Sequence, residues 1–358
     1  MAGSSLVASN HSRQIFTVGA EAFTVRDIID AAHFRGEVLP AWERFIRHVA
    51  GEERANEGER EADDASIDAA VQTFRYDHDL ITAEETEAWL AERGLTLSDF
   101  SDYFTRHYWA EAVGDEVNAE PVDYFSASSD LRDLFLAELI FSGELGRMAS
   151  RLSRRLAAAA ASKEKLAMEE IAAQRQEFLG RIAPDSGMKW AASISRDEDW
   201  IEKMSLFEAT FRNVCNDVLS PTARQREVGT LRLELTMFDL EILEVDSKDA
   251  AREALLCVRD DGMTMEEVAT EGRYPFRRQQ AVLEDIAPEM QQQFLSVTPG
   301  KVLEPMETDG AHRLCRVLAK REPNPEDPSV QRRVEQRLLD RYFADAVLQH
   351  VRWDLSLS

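Results

Sequence analysis

Cysteine is scarce in this 358-residue chain: Cys215, Cys257 and Cys315 are the only three, and no two form a Cys-x-x-Cys pair. So sparse and odd a set supplies neither a disulfide framework nor a thiolate zinc site, and it fits a reducing compartment. Basic residues are outnumbered as well, with 42 Lys plus Arg against 67 Asp plus Glu and a net charge of −25. A field of that sign repels phosphate backbones and anionic lipid, so neither nucleic acid nor a membrane is an expected partner. No apolar run reaches the length of a membrane span. Met1 to Ala8 has no basic stretch leading into an unbroken apolar segment, and a cytoplasmic location is expected. His-Glu-x-x-His, Gly-x-Ser-x-Gly and Gly-rich phosphate motifs are missing, which removes metalloprotease, serine hydrolase and nucleotide-dependent readings. His78 and His107 have no partners at metal-ligand spacing, so neither a metal nor a cofactor is expected.

What is present is an ordinary globular balance, 44% hydrophobic and 30% charged, in a chain long enough for two or three domains. Gln14 to Val18 is compatible with a short strand. From Thr24 apolar residues recur every three or four positions, first Val25, Ile28, Ile29 and Ala32, then Leu39, Trp42, Phe45, Ile46 and Val49, with Gly36 dividing two helices. The acidic run 51–64 reads as a solvated helix end and loop. Thr82-Ala83-Glu84-Glu85 has the spacing of a capping box, and Gly94 is placed to end its helix. Phe100, Tyr103, Phe104, Tyr108 and Trp109 form an aromatic stripe at helical spacing, which is read as core packing. Residues 112–128 form a linker. Asp130 to about Gly180 carries a sparse helical pattern and five consecutive alanines from Ala157, and is read as a protruding helical arm. After a further helix, Trp200 to Leu219, the period shifts to two between Leu231 and Val245, the mark of a strand. Helices follow at 247–260, 265–269 and 286–295. Residues 270–285 read as an irregular loop, and Val302–Pro305 and His312–Lys320 as strands joined through a turn at Thr308-Asp309-Gly310. Val330 to Trp353 closes the chain as an amphipathic helix.

The order of elements from about 235 to 322, with "PEMQQQFLSVTPGKVLEPMETDGAHRLCRVLAK" and "AAREALLCVRDDGMTMEEVA", resembles a parvulin-type (PpiC-like) peptidyl-prolyl isomerase domain. The stretch "VQTFRYDHDLITAEETEAWLAERGLTLSDF" is similar to the helical chaperone domain of SurA-like and PrsA-like foldases. "ALLCVRDDG" and "GLTLSDF" resemble the cytoplasmic PpiC-related peptide maturation proteins that accompany ribosomally made, modified peptides. These resemblances imply an α+β, mainly α fold. Residues 1–115 would form the helical domain, 116–230 the arm, 231–323 the parvulin-like module, and 324–358 a helix returning to the helical domain. They also imply a site: His312 at the family's final-hairpin histidine, Glu241 where its first-strand histidine stands, and an apolar cleft of Met290, Ile286 and Leu314. The loop Thr270–Asp285 lacks the family's Asp or Cys and its Gly-Asp-Leu-Gly segment, so the expected site is a degenerate one. Cys315, three residues further along the strand and so out of phase with its period of two, faces away from His312.

The function that follows is binding of an unfolded or precursor peptide, in company with other peptide-modifying enzymes, and a homodimer is allowed. Two alternatives accompany it. One is a peptide-modifying enzyme of cyclase or epimerase type using Glu241 and His312 as acid and base. The other is a weakly active isomerase.

Overall fold

A computed structural model describes residues 10–114, 119–162, 166–182, 194, 196–308 and 311–354. The terminal residues 1–9 and the turn residues Asp309 and Gly310 lie outside the described residues. The chain forms two units, one of residues 1–215 with 342–358 and one of residues 216–341.

The first unit opens with the hairpin β1 (Gln14–Val18) and β2 (Glu21–Thr24). Helix α1 (Val25–Phe34) starts at a capping box, in which Thr24 and Asp27 satisfy each other's backbone amides. Gly36, at φ +76°, turns the chain into α2 (Val38–Glu57). This helix takes in the first half of the acidic stretch 51–64, expected as a helix end and loop, and Gly51 and Ala55 are buried on its inner face. Next come α3 (Asp64–Asp77), α4 (Ala83–Arg93) and α5 (Leu97–Val113). The Thr82–Glu85 capping box and the left-handed Gly94 cap form as read from the spacing, and a second box joins Thr96 to Asp99. The aromatic stripe of α5 is core: Phe100, Tyr103 and Phe104 pack with Leu90 and with Phe141 from the next helix, around Phe74 and Trp89.

Residues 129–182 correct the expectation of a protruding arm. They form α6 (Ser129–Phe141), α7 (Glu144–Ala161) and α8 (Met168–Ile182), divided by Gly143 at φ +69° and by the segment after Ala161. Phe135, Leu139, Leu145, Met148, Leu152, Leu156 and Phe178 enter one core with Ile15, Ile28, Phe34, Trp42 and Phe45. The sparse apolar pattern is therefore a narrow buried stripe and not a deficit of burial. Helix α9 (Glu198–Val218) adds Ile201 and Met204 to that core.

The second unit holds α10 (Pro221–Thr230) and β3 (Met237–Val245). After these come α11 (Lys248–Arg259), α12 (Met265–Gly272), β4 (Phe276–Val282), α13 (Pro288–Ser296), β5 (Met306–Thr308) and β6 (Ala311–Arg321). Its antiparallel sheet has the order β4-β3-β6-β5. Strand β4 replaces the irregular loop read at 270–285, pairing along its length with β3 from Met237↔Val282 to Leu243↔Phe276. Val302 makes one isolated bridge to Arg316, and the short strand lies a few residues later than expected. The unit is also wider than residues 231–323. Val228 and Leu231 join Leu235, Met237, Val330, Val334 and Leu338 in one cluster, which moves the boundaries to 215/216 and 341/342.

Helix α14 (Pro328–His350) leads back to the first unit, where Ala346 and Val351 are buried. Strand β7 (Val351–Trp353) pairs antiparallel with β1, giving the order β2-β1-β7. The fold class is α+β and mainly α.

Candidate functional site

The residues expected to form one cleft divide between the two faces of the second unit's sheet. Strand side chains alternate with period two. The register Glu241↔Arg316, Leu243↔Leu314 and Val245↔His312 puts Glu241, His312 and Leu314 on one face. That face is covered by α11 and α12, and Leu314 is fully buried among Leu243, Ala254, Leu255 and Met265. Ile286 and Met290 are half-buried on the other face, against Ile242, Phe294, Leu303 and Cys315. A cleft lined jointly by Met290, Ile286 and Leu314 is therefore not formed, since the sheet itself separates them.

Glu241 and His312 also fail to meet. Their positions along the paired strands are four residues apart, about 13 Å at the rise of a β-strand. Glu241 is instead clamped from the two flanking strands, with Arg278 3.0 Å away on β4 and Arg316 3.7 Å away on β6. Glu244, on the opposite face, is held in the same way by Arg277 at 2.8 Å and Arg313 at 3.0 Å. These cross-strand charge triads explain why β4 reads FRRQQAV: its arginines serve the carboxylates of β3. An acid/base pair of Glu241 and His312 is ruled out by distance. His312 is half-buried, and among the described residues its side chain makes no hydrogen bond. Cys315 does face away from His312, and burial pushes its thiol up to about 12, so it is no nucleophile.

The first unit holds a cluster the sequence reading missed. Helices α2 and α5 run in the same direction and touch at Gly51, where an added Cβ would lie 3.3 Å from Ala110 Cα. One turn earlier on each helix, this close approach sets the rings of His48 and His107 4.5 Å apart. Glu138 of α6 meets them both. Its Oε1 is 2.6 Å from His107 Nε2 and 3.5 Å from His48 Nδ1. Its other oxygen faces Arg106 Nη2 at 3.6 Å, and Arg106 also reaches Glu52 at 3.9 Å. Arg106 is 1% exposed and Glu138 6%.

Burial pushes the Glu138 carboxyl up, but the hydrogen bond from His107, the nearby His48 imidazole and the charges of His107 and Arg106 outweigh it and hold the group down at about 2. Beside the histidines opens a cavity of about 510 Å³, lined also by Arg44, Arg47, Ser66, Ile67 and Tyr108. The ligand atoms of His48, His107 and Glu138 all lie within 4.8 Å of one another. His107 thus has in space the partners it lacks in sequence, which revises the expectation of no metal-compatible group. The available signals were a lone carboxylate inside the apolar run LFLAELIF and the Arg-His pair within the aromatic stripe.

No family profile and no curated protein sequence matches the chain. Among solved structures, the chain is similar to the peptidylprolyl isomerase PrsA of Bacillus cereus, with 12% identity over 64% of this chain and 90% of that one and a TM-score of 0.37. It is similar to the foldase protein PrsA of Lactococcus lactis at 10% identity, over 96% of this chain and 95% of that one, with a TM-score of 0.26. A SurA-like chaperone from Campylobacter jejuni matches at 8% identity over 60% and 89%, with a TM-score of 0.19. At these scores the superpositions carry no fold assignment, which rests on the strand order and registers described above.

Proposed function

We propose that the chain is a foldase-like protein that binds unfolded or precursor peptides without catalysing proline isomerisation. The observation that carries this reading is the state of Glu241. The position where the parvulin pattern has a polar catalytic group is filled by a carboxylate locked between Arg278 and Arg316, about 13 Å along the sheet from His312. Isomerisation requires hydrogen bonds that weaken amide resonance against a barrier of about 18–20 kcal/mol, and Glu241 and His312 are too far apart to act on one amide. What the sheet retains is an apolar rim on the other face, where half-buried Ile286, Met290 and Met306 surround buried Phe294. A rim of this kind suits an apolar segment of extended peptide.

The resemblance of "ALLCVRDDG" and "GLTLSDF" to peptide maturation proteins supports a ribosomally made precursor peptide as the client, a cytoplasmic setting and neighbouring peptide-modifying enzymes as partners. The test is a titration of a fluorescent precursor peptide against wild type and Met290→Asp. Binding that weakens at least tenfold in the variant is expected. Equal affinity, or no binding to either, overturns the reading.

A further inference from the structure

We infer that His48, His107 and Glu138 form a binding site for one divalent transition-metal ion of the zinc class, open to the cavity beside it. Two imidazoles and one carboxylate are a donor set that zinc-class ions accept, and three protein ligands leave a further position for water. The three come from three helices of one unit, with 59 and 31 residues separating them in sequence, and converge on a single point. Their atoms are the right ones. His107 Nε2 and His48 Nδ1 both face Glu138 Oε1, while Glu138 Oε2 is turned to Arg106.

Two further observations point to a ligand at this place. Among the described residues, His48 Nδ1 and Glu138 Oε2 are buried without a hydrogen-bond partner. Each has only a longer ion contact, His48 Nδ1 with Glu138 Oε1 at 3.5 Å and Glu138 Oε2 with Arg106 at 3.6 Å, and a buried polar atom without a hydrogen bond is uncommon. The second is the cavity of about 510 Å³, whose wall includes both imidazoles, so an ion has an entry path and its remaining coordination position has room for water.

The charges agree. Among the described residues Arg106 is the fixed cation in ion-pair contact with Glu138, and it is matched by Glu52 and Glu138, which leaves one negative charge at the ligands; the cavity wall beyond them carries Arg44 and Arg47 with Glu111. Arg106 acts as a supporting partner that orients the carboxylate. Ligand atoms bound at about 2.0–2.1 Å in a tetrahedral site stand about 3.3 Å apart. His107 and Glu138, now 2.6 Å apart, open slightly on binding, and the proton between them leaves as the metal enters.

The full chain, stripped with chelator, is titrated with Zn²⁺ and with Co²⁺, using Mg²⁺ as the control ion. One equivalent of Zn²⁺ binds, Co²⁺ develops visible ligand-field bands, and Mg²⁺ does neither because it requires oxygen ligands. The double variant His48→Ala/His107→Ala loses more than the about 10–100-fold in affinity that removal of a supporting partner costs. If that variant is unfolded, ¹⁵N spectra of the wild-type imidazoles decide: on adding Zn²⁺, two of the seven histidines shift, and they are His48 and His107. A folded wild type that binds no Zn²⁺, binding that survives in the folded double variant, or shifts at other histidines overturns the assignment.

Discussion

His107 Nε2 lies 2.6 Å from Glu138 Oε1, and with the carboxylate ionised the imidazole is the donor. This bond joins α5 to α6 beneath Arg106, which is almost wholly buried. Breaking a buried charge pair by removing one partner is more damaging than the pair is stabilising, because the remaining charge is stranded. Glu138→Ala is therefore expected to lower the stability of the full chain by about 3–5 kcal/mol in urea unfolding, with Glu138→Gln losing less. A loss below about 1 kcal/mol, the worth of an ordinary surface pair, would contradict the description of the site.

Gly51 sets the spacing of the two helices that carry the histidines. A valine there would drive its side chain into the Ala110 backbone, which cannot yield without moving α5. Gly51→Val is expected to destabilise the chain by about 1–3 kcal/mol, as overpacking does. Its gain in helix propensity over glycine is smaller than that. Thermal unfolding at one protein concentration checks the sign.

Glu241 is a structural carboxylate, held between Arg278 and Arg316. Glu241→Gln is expected to reduce stability by about 1–3 kcal/mol, the range for a buried group that loses charged partners, and to leave peptide affinity unchanged. A variant as stable as wild type with lost peptide affinity would return Glu241 to a functional role.

Burial holds the His33 imidazole down to about 3, from an ordinary 6.5, where it packs on Tyr124 and Phe125. Because the folded value is the lower one, the unfolded chain takes up a proton that the folded chain refuses. Stability from neutral His33 is full above pH 6.5 and declines as pH falls from 6.5 towards 3. Asp30, raised to about 6 by burial against the pull of Arg196, acts in the opposite direction, so only a paired comparison isolates His33. The stability of wild type relative to His33→Leu is expected to fall by about 1 kcal/mol from about pH 7 to about pH 5.5. A difference constant with pH would show that His33 is not held neutral.

The parts of the fold legible in sequence were those set by local rules. The Thr82 capping box, the Gly36 and Gly94 turns, the aromatic core of α5 and the strands 237–245 and 311–321 all form close to where spacing put them. Strand β4 was hidden because its exposed edge positions are arginine and glutamine, chosen to neutralise β3 and not to alternate in hydropathy. The helices from 129 to 182 looked like an arm because a narrow stripe suffices when neighbours cover it. The cleft failed for a different reason. Met290 and Leu314 are both apolar, and nothing local says which face of a shared sheet each will meet. The His48–His107–Glu138 cluster was the least visible, since its members are brought together only by helix packing at Gly51 and Ala110.

Peptide binding without isomerase chemistry is open to one NMR experiment on the full chain. A proline-containing precursor peptide is added while protein methyl signals and peptide cis/trans exchange are followed together. Shifts at Met290 and Ile286 are expected while the peptide keeps its uncatalysed exchange, which takes tens to hundreds of seconds. Accelerated exchange, or methyl signals that do not move at saturating peptide, would contradict the proposed function.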